Sequence, residues 1–135
     1  MEKPQIRTLA LVVFAVSLVA LFAPQQQEDL DESETYTVNM TERGFQPTVL
    51  TIEKGDTVVW RNKASISMWI ASDPHPTHTD YSNTTIGEHC GNSSITAFDQ
   101  CQTGEKYSFT FKKTGNWSYH NHRPFAAGGR ITVTE

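Results

Sequence analysis

Two histidines stand one residue apart in Gly115-Asn116-Trp117-Ser118-Tyr119-His120-Asn121-His122, at the end of an aromatic, strand-like run. Side chains at i and i+2 of a strand point to the same face, roughly 6.6 Å apart along the chain. Two imidazoles leaning toward each other reach one metal ion at about 2.0–2.1 Å per nitrogen. Trp117 and Tyr119 alternate with them and claim the opposite face for a core. The chemistry of this segment is metal binding. The bland alternative is a solvent-facing strand edge that carries two histidines.

Three more histidines offer ligands. His75 and His78 lie in Asp73-Pro74-His75-Pro76-Thr77-His78, where two prolines fix φ and stiffen the loop. A stiff loop holds an imidazole at little entropic cost. His78 is the better placed of the two, because His75 sits between prolines and serves either the ion or the loop. His89, alone beside Cys90 in a polar stretch, reads as a bystander. Met68 adjoins Trp69 in a strand-like run; a core role is its default, with its thioether available as a soft axial ligand. Three or four neutral imidazoles without a thiolate suit a copper ion, favoured by the intrinsic affinity order, and zinc is also accommodated. Copper held in this way lacks the intense colour of a thiolate-ligated centre.

Nearly every segment that must position these residues reads as strand. Tyr36–Thr41 alternates. Val49–Glu53 precedes a Lys54-Gly55-Asp56 turn, and Thr57–Asn62 and Ser67–Ala71 follow. Lys106–Lys112 alternates aromatic and polar residues, Lys113-Thr114-Gly115 turns into the histidine-bearing strand, and Arg130–Val133 closes the fold. Short runs of period two, separated by glycine and polar turns, predict an all-β sandwich or barrel with no helix after residue 35. Between Ser72 and Gln102 some thirty residues lack a regular pattern, a length that points to function or a covalent brace.

Cys90 and Cys101 are the only cysteines and enclose a Gly/Asn/Ser-rich loop. In an exported chain such a pair reads as a disulfide, the competing reading being two thiolate ligands for a soft metal. Export is suggested by the N-terminus. Lys3 and Arg7 precede an apolar run from Leu9 to Ala23, and Glu28, Asp29, Asp31, Glu32 and Glu34 follow it. Residues 1–23 are thus expected to be a signal peptide or a membrane anchor, with the rest outside the membrane by the positive-inside rule. Residues 24–34 form an acidic, flexible linker. The expected location is periplasmic or cell surface, and the membrane is a partner if the segment stays uncleaved. The formal charge of −4 comes from this tail, and the remainder is neutral without a basic stripe. Nothing in it suggests nucleic-acid binding. Asn39, Asn83, Asn92 and Asn116 begin glycosylation sequons, a motif common by chance.

From Tyr36 to Val133 the sequence resembles the cupredoxin superfamily, the plastocyanin/azurin-like proteins. Gly44–Asn62 is similar to the family's first half, and Gly104–Phe111 with Gly115–His120 to its second. The resemblance implies a cupredoxin-like Greek-key β-sandwich or barrel over residues 35–135. The blue-copper ligands do not carry over. Met68 occupies the place of the family's first histidine, Asn121 that of its cysteine, and Pro124-Phe125-Ala126-Ala127-Gly128-Gly129 replaces its downstream ligands. The His-Pro-Thr-His loop and the His-x-His strand look like those of an exported branch of the superfamily, which implies a metal site on His75, His78, His120 and His122. The segment ending in His122 is also similar to the Trp-Tyr-His-x-His segment of multicopper oxidases, which supports copper on that pair. One pair in one domain argues against complete oxidase activity.

The expected function is therefore an exported copper-binding protein with a histidine-rich, thiolate-free site for metal binding, buffering or electron transfer. Two alternatives stand beside it. One is a small mononuclear copper enzyme acting on a small oxidant, and the other is a metal-free structural β-sandwich. No protein partner is indicated.

Overall fold

The computed structural model describes residues 32–135. The expected leader and most of the acidic linker lie outside them. The elements run β1 (Thr35–Thr41), β2 (Gly44–Gln46), β3 (Val49–Glu53), β4 (Thr57–Asn62), β5 (Ile70–Ser72), α1 (Ile86–His89), β6 (Lys106–Thr110), β7 (Gly115–Asn121) and β8 (Ala126–Thr134). They build two four-stranded sheets, ordered β2-β1-β4-β6 and β3-β8-β7-β5. β1 runs parallel to β4, and β3 parallel to β8; the other pairs are antiparallel.

Strand alternation explains where the core sits. β1 turns Val38 and Met40 inward, β8 turns Ile131 and Val133 inward, and the residues between them face out or sit half-buried. Trp60 of β4 is fully buried at the centre, with the rings of Phe98, Tyr107 and Tyr119 at 5.2, 5.7 and 5.4 Å between centroids. Such spacings are typical of favourable aromatic contact. Burying one large apolar side chain contributes about 1.5–3 kcal/mol, so this aromatic centre is what holds the two sheets together.

The expected all-β architecture is present, with four differences. β2 was not expected, since three residues are too short to show alternation. The strand expected over Ser67–Ala71 is confined to Ile70–Ser72, and Ser67, Met68 and Trp69 lead into it without pairing. A short helix, α1, interrupts the chain where none was expected. Its signal was the Thr85-x-x-Glu88 spacing: the Glu88 carboxylate accepts hydrogen bonds from the Thr85 N–H and hydroxyl, at 2.7 and 2.8 Å. The long stretch after β5 is also more ordered than its sequence suggests. Tyr81 and Phe98 enter the core, and Phe98–Gln100 runs beside β5, with Ser72 N–H donating to Phe98 O and Gln100 N–H to Ile70 O.

One close approach fixes the strand that carries His120. Gly129 of β8 lies opposite Tyr119 of β7, and a Cβ there would stand 2.5 Å from the Tyr119 ring. The absent side chain leaves room for that buried ring and anchors β7 one residue before His120.

Candidate metal centre

Because Tyr119 points into the core, His120 emerges on the outer face of its sheet. It pairs with Ala71 of β5 on one side and with Gly128 of β8 on the other, two small neighbours that leave room over the strand. A bulge follows between His120 and Asn121. Bulges re-aim the side chains beyond them, and here Asn121 is buried as a clamp. Its Oδ1 accepts from Trp69 N–H at 2.7 Å, and its Nδ2 donates to Ser67 O and Pro124 O at 3.0 and 3.1 Å. His122 lies just past β7, tied back by its N–H to Trp69 O at 2.7 Å, with its ring edge-on to the Trp69 indole.

The Asp73–His78 loop folds over this face and brings four imidazoles together. Ring centroids are 5.1 Å apart for His78 and His120, 4.4 Å for His78 and His122, and 6.0 Å for His120 and His122. His75 stands 5.4 Å from His120 and 5.1 Å from His122. One nitrogen each from His75, His120 and His122 lies within 4.8 Å of the others. His78 is fully buried and its Nε2 lies 3.0 Å from His122 Nδ1. Two nitrogens bound to one ion at about 2.0–2.1 Å stand roughly 2.9–3.4 Å apart for angles between square and tetrahedral, so this pair has the spacing of two ligands. His75 is exposed and packs against the exposed Phe125 at 4.6 Å.

Behind the rings lie carboxylates. Asp99 Oδ2 is 2.5 Å from His78 Nδ1 and 2.9 Å from His89 Nε2. Asp99 Oδ1 accepts from the Trp69 indole N–H at 2.7 Å and the Cys101 N–H at 2.8 Å. Asp73 Oδ1 is 2.7 Å from His120 Nδ1. Burial alone would raise the Asp99 carboxyl. The hydrogen bonds from His78, Trp69, His89 and Cys101 outweigh it and hold the group at about 2. Burial lowers His120, against the opposing pull of Asp73. Burial, then repulsion from the imidazoles of His78, His75 and His120 and from Arg123, brings His122 down to about 4. These two rings are thus neutral at neutral pH, with lone pairs to offer.

His120 Nε2 is buried and has no hydrogen-bond partner among the described residues. Leaving such an atom unsatisfied costs about 1–3 kcal/mol. His78 adds a second cost: its φ is +62°, in the left-handed region that non-glycine residues rarely adopt. Strain of this kind concentrates at functional sites. Both features suit a site built around an ion.

The cysteine pair forms a disulfide with Cα atoms 5.3 Å apart, and no free cysteine remains. The reading of Cys90 and Cys101 as thiolate ligands is thereby corrected: their sulfurs are bonded to each other. His89 is no bystander, since it is buried against Asp99. Met68 is fully buried within the hydrophobic core. Asp99 was not singled out as part of the site and carries no local signal; Asp73 stands at the head of the Pro-His-Pro loop.

The donor set fits copper as well as its chemistry allows without sulfur: up to four imidazole nitrogens, which suit divalent copper or zinc. A model of the copper-binding proteins of the plastocyanin/azurin family matches residues 30–134. Among solved structures the chain is similar to a purple cupredoxin from Nitrosopumilus maritimus, at 19% identity over 73% of this chain and 99% of that one, with a TM-score of 0.53. It is also similar to an oxidised amicyanin variant, at 18% identity over 73% of this chain and 81% of that one, with a TM-score of 0.52. A third is a copper-containing nitrite reductase from Thermus scotoductus SA-01, at 22% identity and a TM-score of 0.53; the match covers 75% of this chain and 22% of that larger one. No curated protein sequence matches. With its two facing sheets and the family match over nearly all of the described residues, the chain belongs to the copper-binding plastocyanin/azurin family.

Proposed function

We propose that the protein is an exported cupredoxin that binds one copper ion through imidazole nitrogens alone and serves to hold and hand over that ion. His78 and His120 would bind through Nε2 and His122 through Nδ1, with His75 as the fourth ligand. The observation that carries this reading is the partnerless, buried His120 Nε2 among three other imidazoles. Bound copper would supply a single redox-active, Lewis-acidic centre of the nitrogen-ligated kind. The protein's own part is to hold these rings together and shield them from water. His78, His120 and His122 are buried, whereas His75 sits at the surface against Phe125, which is 65% exposed. An exposed fourth ligand is the natural point of entry and transfer. Export follows from the N-terminal charge pattern and accords with the disulfide, which persists in oxidising compartments.

Titration of the purified protein with copper(II) is expected to show one tight equivalent, nitrogen hyperfine structure in its electron paramagnetic resonance spectrum, and no intense thiolate absorption. The double variant His120→Ala/His122→Ala is expected to lose that equivalent. Retention of full affinity by the variant would sink the proposal.

A further inference from the structure

The two carboxylates behind the imidazoles do more than fill space. An ionised carboxylate only accepts hydrogen bonds. Asp73 Oδ1, 2.7 Å from His120 Nδ1, and Asp99 Oδ2, 2.5 Å from His78 Nδ1, therefore each take a proton held on Nδ1. Both rings are then left with a bare Nε2 on the side away from the carboxylate. For His120 that atom is the partnerless one, and for His78 it is the one facing His122.

Asp99 is itself held from three directions. Trp69 and the Cys101 backbone bind one oxygen, and His89, at the end of α1, shares the other with His78. The disulfide joins the residue after His89 to the second residue after Asp99, so it clamps this outer ring. Two negative charges stand one imidazole away from the place where an ion would bind.

We propose that Asp73 and Asp99 are positioning residues of the metal centre, which hold His120 and His78 as the Nδ1–H tautomer and weight the centre toward a divalent over a monovalent ion. The charge half rests on the metal-binding reading given above. The tautomer half does not, because it belongs to the metal-free protein. Electrostatics gives the direction. A fixed negative charge stabilises an ion of charge +2 about twice as much as one of +1 at the same distance, so removing it should cost copper(II) and zinc(II) more than copper(I). A carboxylate partner also raises the basicity of its imidazole, and loss of such a partner costs typically about 10–100-fold in metal affinity.

Asp73→Asn is the clean variant. The Asp73 side chain is 38% exposed, and His120 is its one hydrogen-bond partner among the described residues. Asparagine keeps an acceptor oxygen and loses the charge. Asp99→Asn is the harsher one, since it turns an amide N–H₂ toward a group of donors; circular dichroism establishes whether it folds.

Nitrogen-15 NMR of the metal-free wild-type protein at pH 8 is expected to find the proton on Nδ1 in both His78 and His120. An Nε2–H tautomer at either ring overturns the proposal for its carboxylate. In the metal-loaded protein, Asp73→Asn is expected to weaken copper(II) and zinc(II) by about tenfold or more, to weaken copper(I) by clearly less, and to raise the reduction potential. Equal losses for all three ions with an unmoved potential would mean a merely structural role and overturn the charge half. A wild-type protein that takes up neither metal overturns the metal-binding reading and the charge half together, while the tautomer measurement still decides the rest.

Discussion

Burial and the neighbouring positive groups set when His122 takes a proton, and that choice has a consequence for the metal-free protein. Its ordinary value is 6.5 and its folded value about 4, so the unfolded chain binds the proton first as pH falls. This contribution to stability is complete above pH 6.5, declines between 6.5 and about 4, and is gone below. His120, lowered in the same direction, adds to the same decline. Asp99 acts further down: its ordinary 3.8 falls to about 2 in the folded protein, so a second loss follows between those values. Urea denaturation of the apo-protein should show the midpoint dropping from pH 7 to pH 5 and again from pH 4 to pH 2.5. An unchanged midpoint between pH 7 and 5 would contradict the burial argument for the two histidines. At this scale the His-x-His pair was legible because strand spacing brings both rings toward one face, although a bulge follows His120 and His122 lies just past β7. The role of His89 was not, since a lone histidine in a polar loop has no partner within reach of its own segment.

β7 carries His120 and leads directly into His122, and it is held in place by its neighbours, so damage to an adjacent element should reach the site. Gly129→Ala puts a Cβ 2.5 Å from the Tyr119 ring. Forced displacement of a packed ring costs typically about 1–3 kcal/mol. Because Tyr119 precedes His120, copper affinity should fall together with the melting temperature. A variant with a lowered melting point but wild-type affinity would show that β7 shifts without moving the ligand. The disulfide loop offers a parallel case. Closing so short a loop stabilises by about 3 kcal/mol or less, and Cys90→Ser/Cys101→Ser should lose up to that amount. It should also weaken copper binding, because Asp99 lies within the braced segment and its partner His89 immediately before it. Chemical denaturation and copper titration of the same preparation measure both effects. The longer strands were legible here. β2 and α1 were not, being too short to declare a period.

The described residues form an aromatic sandwich with its candidate metal centre on the outer face of one sheet, beneath a proline-rich loop. An ion that binds only the folded state must raise its stability, by about 2.7 kcal/mol at a free concentration one hundred times the dissociation constant. For a domain of this size that corresponds to a rise in melting temperature on the order of 10 °C. A thermal scan with copper, with zinc and with chelator should show that rise for copper, and chelator should abolish it. Identical melting curves under all conditions would favour the structural-scaffold alternative.

Sequence alone determined the all-β class, the proximity of the cysteines and the His-x-His pair, because each depends on local periodicity or short spacing; the family was legible as a resemblance of motifs along the chain. Only the tertiary structure decided that His78 comes to lie 3.0 Å from His122, forty-four positions later in the chain, and that Asp99 stands behind His78. Those contacts join a loop, a strand end and a disulfide-braced segment. Residues so far apart in the chain meet only where packing carries the backbone, and no local pattern records that meeting.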